Sequence, residues 1–404
     1  MDNRPLPGNV SPRPGSSPSA GTGDPASPVP AGALLRPAVT ELRLSAFGPH
    51  RGTTLPLTAL TLLTGPSGSG KSSALQAYEA LARLAGGSGL GPTFPDPGRW
   101  VPERSGSDDQ GRRGFRIGCT ADGPAGAVRL DLAVQTEPAL RIVGERLTCG
   151  GRTLLSTALR DPRRSSVEAA WHTAGSGRVT RAPLPDDRLG TALLPLRVAG
   201  RTEGQLQVLA AAEQTVVALR SAFVCDPQPH GMRGPVPLGD GRLRRGCDNL
   251  AEVLHRTREQ CARRHARLTA AARAGCAGAV AGLTVEELAN GRVRALLARD
   301  AGRRATPLDR LGDGELRYLA LALVLLTGPG VLAVDRAAEV PEARQSLTVL
   351  ADGFDRCLDP AQARALVALA AQTAGRGHVR LMGAVSDASF ARGVDGVRVV
   401  DLVP

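Results

Sequence analysis

A chain of 404 residues can bury a large core and hold more than one lobe. Its 42% hydrophobic and 22% charged residues fit a globular protein, while 2% aromatic residues leave few platforms for stacking single-stranded nucleic acid. A net charge of +12 favours an acidic partner such as nucleotide or nucleic acid, although an arginine-rich composition accounts for much of it. The seven cysteines are scattered without a CxxC pair, which excludes a disulfide framework and a zinc knuckle and predicts reduced thiols in a cytoplasmic protein.

Residues 1–36 are rich in Pro, Gly, Ser and Ala (PGSSPSAGTGDPASPVPAG), cannot bury enough surface to offset their ordering entropy, and read as a disordered tail. They contain no apolar core of a secretory signal. Over 37–195 the pattern predicts an N-terminal lobe. TELRLSAF alternates as a half-buried strand, GPHRG turns, ALTLLTG is a buried strand, and SSALQAYEALARLAG is a helix closed by Gly86 and Gly87. The runs FRIGCTAD, AVRLDLAVQ and ALRIVGERL, within 115–155, predict an antiparallel meander.

From 196 to 305 the pattern turns helical, as in GQLQVLAAAEQTVVALRSAF and, after Asp248 and Asn249, NLAEVLHRTREQCARRHARLTAAAR; this predicts a helical insertion. Residues 306–404 form a C-terminal lobe: a helix from Glu315, the strand VLAVD, the helix AQARALVALAAQTA, and the strands HVRLMGAV and GVRVVDLV. The apolar run 318–334 is broken by Thr327, Gly328, Pro329 and Gly330, too short to cross a membrane.

One stretch carries chemistry directly. Gly65, Pro66, Ser67, Gly68, Ser69, Gly70, Lys71 and Ser72 fit GxxxxGK[ST] between a predicted strand and a predicted helix, with Ser73 following. Glycines let backbone N–H groups turn inward around phosphate oxygens, and the following helix presents its free N–H groups to the same anion. Lys71 is the only lysine in the chain. A compact ammonium fits a tight phosphate loop where the planar arginine fork does not. Ser72 is the expected ligand of Mg²⁺, with Asp335, at the end of VLAVD, as the carboxylate of the metal shell.

About twenty residues before Asp335, a glycine turn, LGDGELR, opens a helix that is apolar almost all round. Taken together, LRLSAF, LTLLTGPSGSGKSS, LGDGELR, VLAVD and the insertion segment CDNLAEVL resemble the ABC-type ATPase heads of the RecF and SMC branch, AAA-family ATP-binding proteins, over roughly residues 39–404. The resemblance implies an α/β P-loop NTPase fold: an ABC-ATPase-head-like mixed sheet with an antiparallel β meander and a helical insertion. It also implies ATP and Mg²⁺ as ligands. Gly312, Asp313, Gly314 and Glu315 would face a γ-phosphate held by a second copy or a related head, so that ATP binding closes a dimer. DNA is a further partner of such heads; the adenine base rests on the resemblance alone.

Three departures point to damaged hydrolysis. Arg336 follows Asp335 where the family has glutamate, Val385 stands where a switch histidine is expected, and Gly312 stands for the signature serine. Losing a positioned base costs about 10²–10⁴-fold in rate. The reading that follows is an ATP-gated switch or clamp with weak or absent hydrolysis. Its alternatives are an active ATPase with an unconventional base such as Glu339, and a non-enzymatic scaffold with a vestigial site. Gln110 is a further candidate, as a magnesium-sensing glutamine.

Overall fold

The computed structural model describes residues 36–403, apart from 110, 173–178, 301–303, 336 and 338–339. The tail expected over 1–36 lies, except for Arg36, outside the described residues, as do Gln110, Arg336 and Glu339.

At the centre is a five-stranded parallel sheet in the order Ala222–Cys225, Leu347–Ala351, Val379–Ala384, Leu60–Thr64, Val397–Asp401. Strands covered on both faces read as unbroken apolar runs, and LTLLT and LTVLA are of that kind. Alternate residues serve two cores. Leu63, Leu350, Met382 and Ala384 face the helices Lys71–Ala85 and Glu203–Arg220, which separate this sheet from a second one. Leu60, Leu62, Val349 and Leu381 face the helices Asp313–Leu326 and Pro360–Ala374. Because all the strands are parallel, their C-terminal ends lie on one edge of the sheet.

The second sheet is antiparallel and eight-stranded, from the hairpin Ala38–Phe47 and His50–Pro56 through Arg113–Asp122 to Val179–Pro185. The meander thus runs well past residue 155. Helix Glu203–Arg220 is bound to it by Gln214, whose Nε2 donates to the carbonyls of Ala121 and Gly126 and whose Oε1 accepts from the amide of Ala125.

Residues 196–305 are therefore not a purely helical insertion. Ala222–Cys225 is an edge strand of the central sheet, and Val280–Glu287 and Arg292–Arg299 form an antiparallel hairpin. The hairpin has a legible cause, since Asn290-Gly291 joins two alternating runs and Gly291 takes φ +70°. Helices Leu250–Gln260 and Ala262–Gly275 match the helical expectation. No helix among the described residues is long and apolar enough to cross a membrane.

Candidate functional site

Strand Leu60–Thr64 delivers the chain to the C-terminal edge of the central sheet, and helix Lys71–Ala85 carries it away. Gly65, Gly68 and Gly70 sit at φ +135°, +86° and +92°, in the left-handed region that a side chain resists. Space is also short. A Cβ on Gly65 would lie 2.4 Å from the carbonyl oxygen of Leu402, and one on Gly70 2.4 Å from His50 Nε2. His50 Nε2 is 3.0 Å from the carbonyl oxygen of Gly70; a carbonyl only accepts, so Nε2 carries the hydrogen. Burial lowers the pKa of His50, against the opposing effect of this bond.

Inside the loop, Lys71 Nζ donates to the carbonyls of Gly65 at 2.6 Å and Pro66 at 3.0 Å. Pro66, Ser67, Gly68 and Ser72 are exposed, Ser73 is half-buried beside Gly48, and the buried Ser69 Oγ has no hydrogen-bond partner. The loop combines a cation, a helix N-terminus and an unsatisfied buried hydroxyl, a donor set suited to phosphate.

Asp335 lies apart from this loop. VLAVD is not a strand of the central sheet; among the described residues its only pairing is a single bridge between Leu332 and Leu243. Asp335 is exposed, accepts from Arg220 Nη2 at 3.0 Å, and lies against Gly86, where a Cβ would approach its Oδ2 to 2.3 Å. Gly86 caps the far end of the helix that starts at Lys71. With 1.5 Å of rise per residue, that end is about 20 Å from Ser72, too far for the two to share a metal ion.

One carboxylate on the loop's edge is Asp352, directly after the strand Leu347–Ala351; Asp401, level with Thr64 at the end of the neighbouring strand, is another. Ala351 is level with Gly383, and Gly383 with Leu62, which places Asp352 two strands, about 10 Å, from the start of the glycine loop. Sequence reasoning passed over Asp352, although the signal was present. LTVLAD is an apolar run closed by aspartate, and GFDRCLD then leads to the cap of a helix. VLAVD has the same grammar, and only the pairing of strands separates the two.

The loop after Asp352 is held from several sides. Gly353 takes φ +58°, and its carbonyl accepts from Arg317 Nη2 at 2.8 Å. Phe354 is buried, with its amide on the carbonyl of Ala384. Asp355 Oδ2 accepts from the amides of Ser386 and Asp387 at 2.8 and 3.1 Å, while its Oδ1 is buried without a partner. Asp359 caps helix Pro360–Ala374 by accepting from the amide of Gln362. Val385, directly after the strand Val379–Ala384, donates its amide to the carbonyl of Leu63 and is buried.

Gly312, Asp313, Gly314 and Glu315 form the N-terminal turn of helix Asp313–Leu326, with Gly312 and Asp313 exposed. Arg233 Nη2 donates to Asp313 Oδ1, and the Glu315 carboxylate accepts from the amides of Gly312 and Ala277. Gly314 is forced by contact, because a Cβ there would meet the carbonyl oxygen of Cys357 at 2.3 Å. No hydrogen bond among the described residues joins this turn to the glycine loop. Arg317, 2% exposed, instead ties the helix to Gly353 and to the carbonyl of Pro227.

No family model matches the sequence, and no curated protein matches it. Among solved structures the chain is similar to an Smc head bound to the C-winged helix domain of ScpA, at 13% identity and TM-score 0.48, covering 88% of this chain and 92% of that one. It is also similar to an SMC head domain from Thermotoga maritima, at 15% identity and TM-score 0.42, over 91% and 95% of the two chains. An Smc head with an extended coiled coil, bound to the C-terminal domain of ScpA from Pyrococcus furiosus, matches at 12% identity and TM-score 0.46, over 91% and 94%. These are likenesses of architecture; the chemistry of the site stands on this chain's own residues.

Proposed function

We propose that the chain is an ATP-gated switch or clamp of the RecF/SMC head type that binds Mg²⁺·ATP and turns it over slowly or not at all. One observation carries this reading: Lys71, Ser72 and Asp352 share the C-terminal edge of the central sheet, while the residue after Asp352 is a left-handed glycine. Lys71 would leave the carbonyls of Gly65 and Pro66 for the β- and γ-phosphates. Ser72 and Asp352 would hold the magnesium shell, and Asp335 is replaced in that role. Gly353 removes the carboxylate that would orient water, a defect worth about 10²–10⁴-fold in rate. The turn Gly312–Glu315, exposed at Gly312 and Asp313, would be the surface offered to the γ-phosphate of a second copy or a related head, and closure on ATP would be the output.

The test is calorimetric titration with ATP, with and without Mg²⁺, together with single-turnover hydrolysis. Lys71→Ala should abolish binding, Asp352→Asn should weaken only the Mg²⁺-dependent part by about tenfold or more, and Asp335→Asn should bind as the wild type does. Brisk wild-type turnover would overturn the switch. The second reading, an active ATPase, is favoured by one feature: the unpartnered Oδ1 of Asp355, two residues after Gly353. Turnover abolished by Asp355→Asn with ATP binding intact would establish it.

A further inference from the structure

The outer face of the eight-stranded sheet carries a built feature of its own. Cross-strand register sets two neighbouring rows there. One contains Arg43, Gly118, Asp131, Arg146 and Ser156; the other contains Arg116, Ala133 and Gly144. In the first row Gly118 has a clear cause, since a Cβ would meet Asp131 Oδ1 at 2.7 Å. Its absence lets Arg43 Nε reach Asp131 Oδ1 at 3.0 Å across the intervening strand. Asp131 also accepts from Arg129 Nε at 2.7 Å and stands opposite Arg146. A single carboxylate thereby pairs with two arginines and leaves the third, Arg146, opposite it without a bond among the described residues.

The second row is small, and it forms the floor of a trough. Two adjoining hollows of about 610 and 370 Å³ share Ser45, Arg116 and Ala133. Among the described residues lining them, Arg112 is paired with Asp108, Arg113 with Glu137, and Arg129 with Asp131. Arg116 and Arg146 are exposed and have neither ion pair nor hydrogen bond among the described residues.

We propose that this trough docks an extended acidic segment of a protein partner, its carboxylates meeting Arg116 and Arg146 over the Ala133–Gly144 floor. Charge complementarity and the small-residue floor of Ala133 and Gly144 point to an extended chain. Nucleic acid fits less well. Its affinity comes from neutralising many phosphates, and the other arginines here are already neutralised. Single strands need aromatic platforms, and Phe115, the aromatic residue lining the trough, is buried.

The experiment uses the full chain and a fluorescein-labelled peptide of alternating glutamate and glycine, followed by anisotropy, with duplex DNA as competitor. Saturable binding that weakens with salt is expected, about tenfold weaker in Arg116→Ala/Arg146→Ala and unchanged in Lys71→Ala. Ala133→Glu should block the floor without altering thermal unfolding. Arg116→Glu/Arg146→Glu should lose the glutamate peptide and gain the corresponding lysine peptide. Absence of saturable binding, or binding indifferent to these substitutions, would overturn the proposal. Displacement of the peptide by DNA through the same two arginines, at lower concentration than the free peptide requires, would overturn it in favour of a nucleic-acid site.

Discussion

Gly70 shows how one residue can be fixed by two independent constraints. Its φ of +92° opposes any side chain, and His50 Nε2 occupies the place where a Cβ would go. Left-handed strain costs about 1–3 kcal/mol, and overpacking against a ring costs a similar amount. Gly70→Ala should therefore destabilise the protein by more than either effect alone and weaken nucleotide binding. His50→Ala in the Gly70→Ala background should relieve the steric part only. Urea unfolding of the single and double variants measures the coupling, and strict additivity would show that the ring yields without cost. The same scale explains the solitary lysine. Lys71 lies folded on the Gly65 and Pro66 carbonyls, a fit for a compact ammonium, while arginine serves the flat, multi-acceptor sites elsewhere, as Arg43 and Arg317 do.

At the scale of elements, the helix Asp313–Leu326 and the loop before Pro360 are locked together at Gly314. Alanine is a better helix former than glycine by about 1 kcal/mol, so propensity alone predicts that Gly314→Ala stabilises. The carbonyl of Cys357, 2.3 Å from the new Cβ, is backbone and cannot rotate away. Contact should win, with a net loss of about 1–3 kcal/mol. Gly312→Ser, at an N-cap with open space beside it, should instead gain a few tenths of a kcal/mol. Urea midpoints for the two variants should move in opposite directions; a stabilised Gly314→Ala would mean that the loop adapts. Elements of this kind decide what the sequence could disclose. The glycine loop, its helix and the apolar helix after Gly312 were legible because local spacing specifies them. The carboxylate proposed for the metal was not, because VLAVD and LTVLAD are equivalent as strings and differ only in which one pairs with Val379–Ala384. The hairpin at Asn290-Gly291 was legible in principle, but lay hidden in a region dominated by helical periodicity.

For the molecule as a whole, titration sets two opposed demands. Burial lowers the pKa of His50; burial and Arg258 lower that of His265; burial, Arg36 and Arg376 lower that of His378. Each takes up its proton more readily unfolded than folded. Their stabilising contribution is therefore complete above about 6.5, the unfolded value, and lost as pH falls through the folded values. Glu145 acts in the opposite direction. Its carboxylate is fully buried, and burial raises its pKa despite bonds from the Thr191 hydroxyl and the Thr191 and Gly190 amides. That contribution is present in acid and lost as pH rises through the folded value. Burial raises the Asp186 carboxyl in the same sense; three histidines outweigh two carboxyls across the window just below neutrality, so the urea midpoint should fall between pH 7.5 and pH 5.5, values spanning the unfolded histidine pKa of about 6.5. His50→Gln keeps a donor for the Gly70 carbonyl but cannot titrate, and it should narrow that fall. A midpoint that stays level or rises toward the acid side would show that Glu145 dominates, and would place the main electrostatic strain in the antiparallel lobe instead of at the glycine loop.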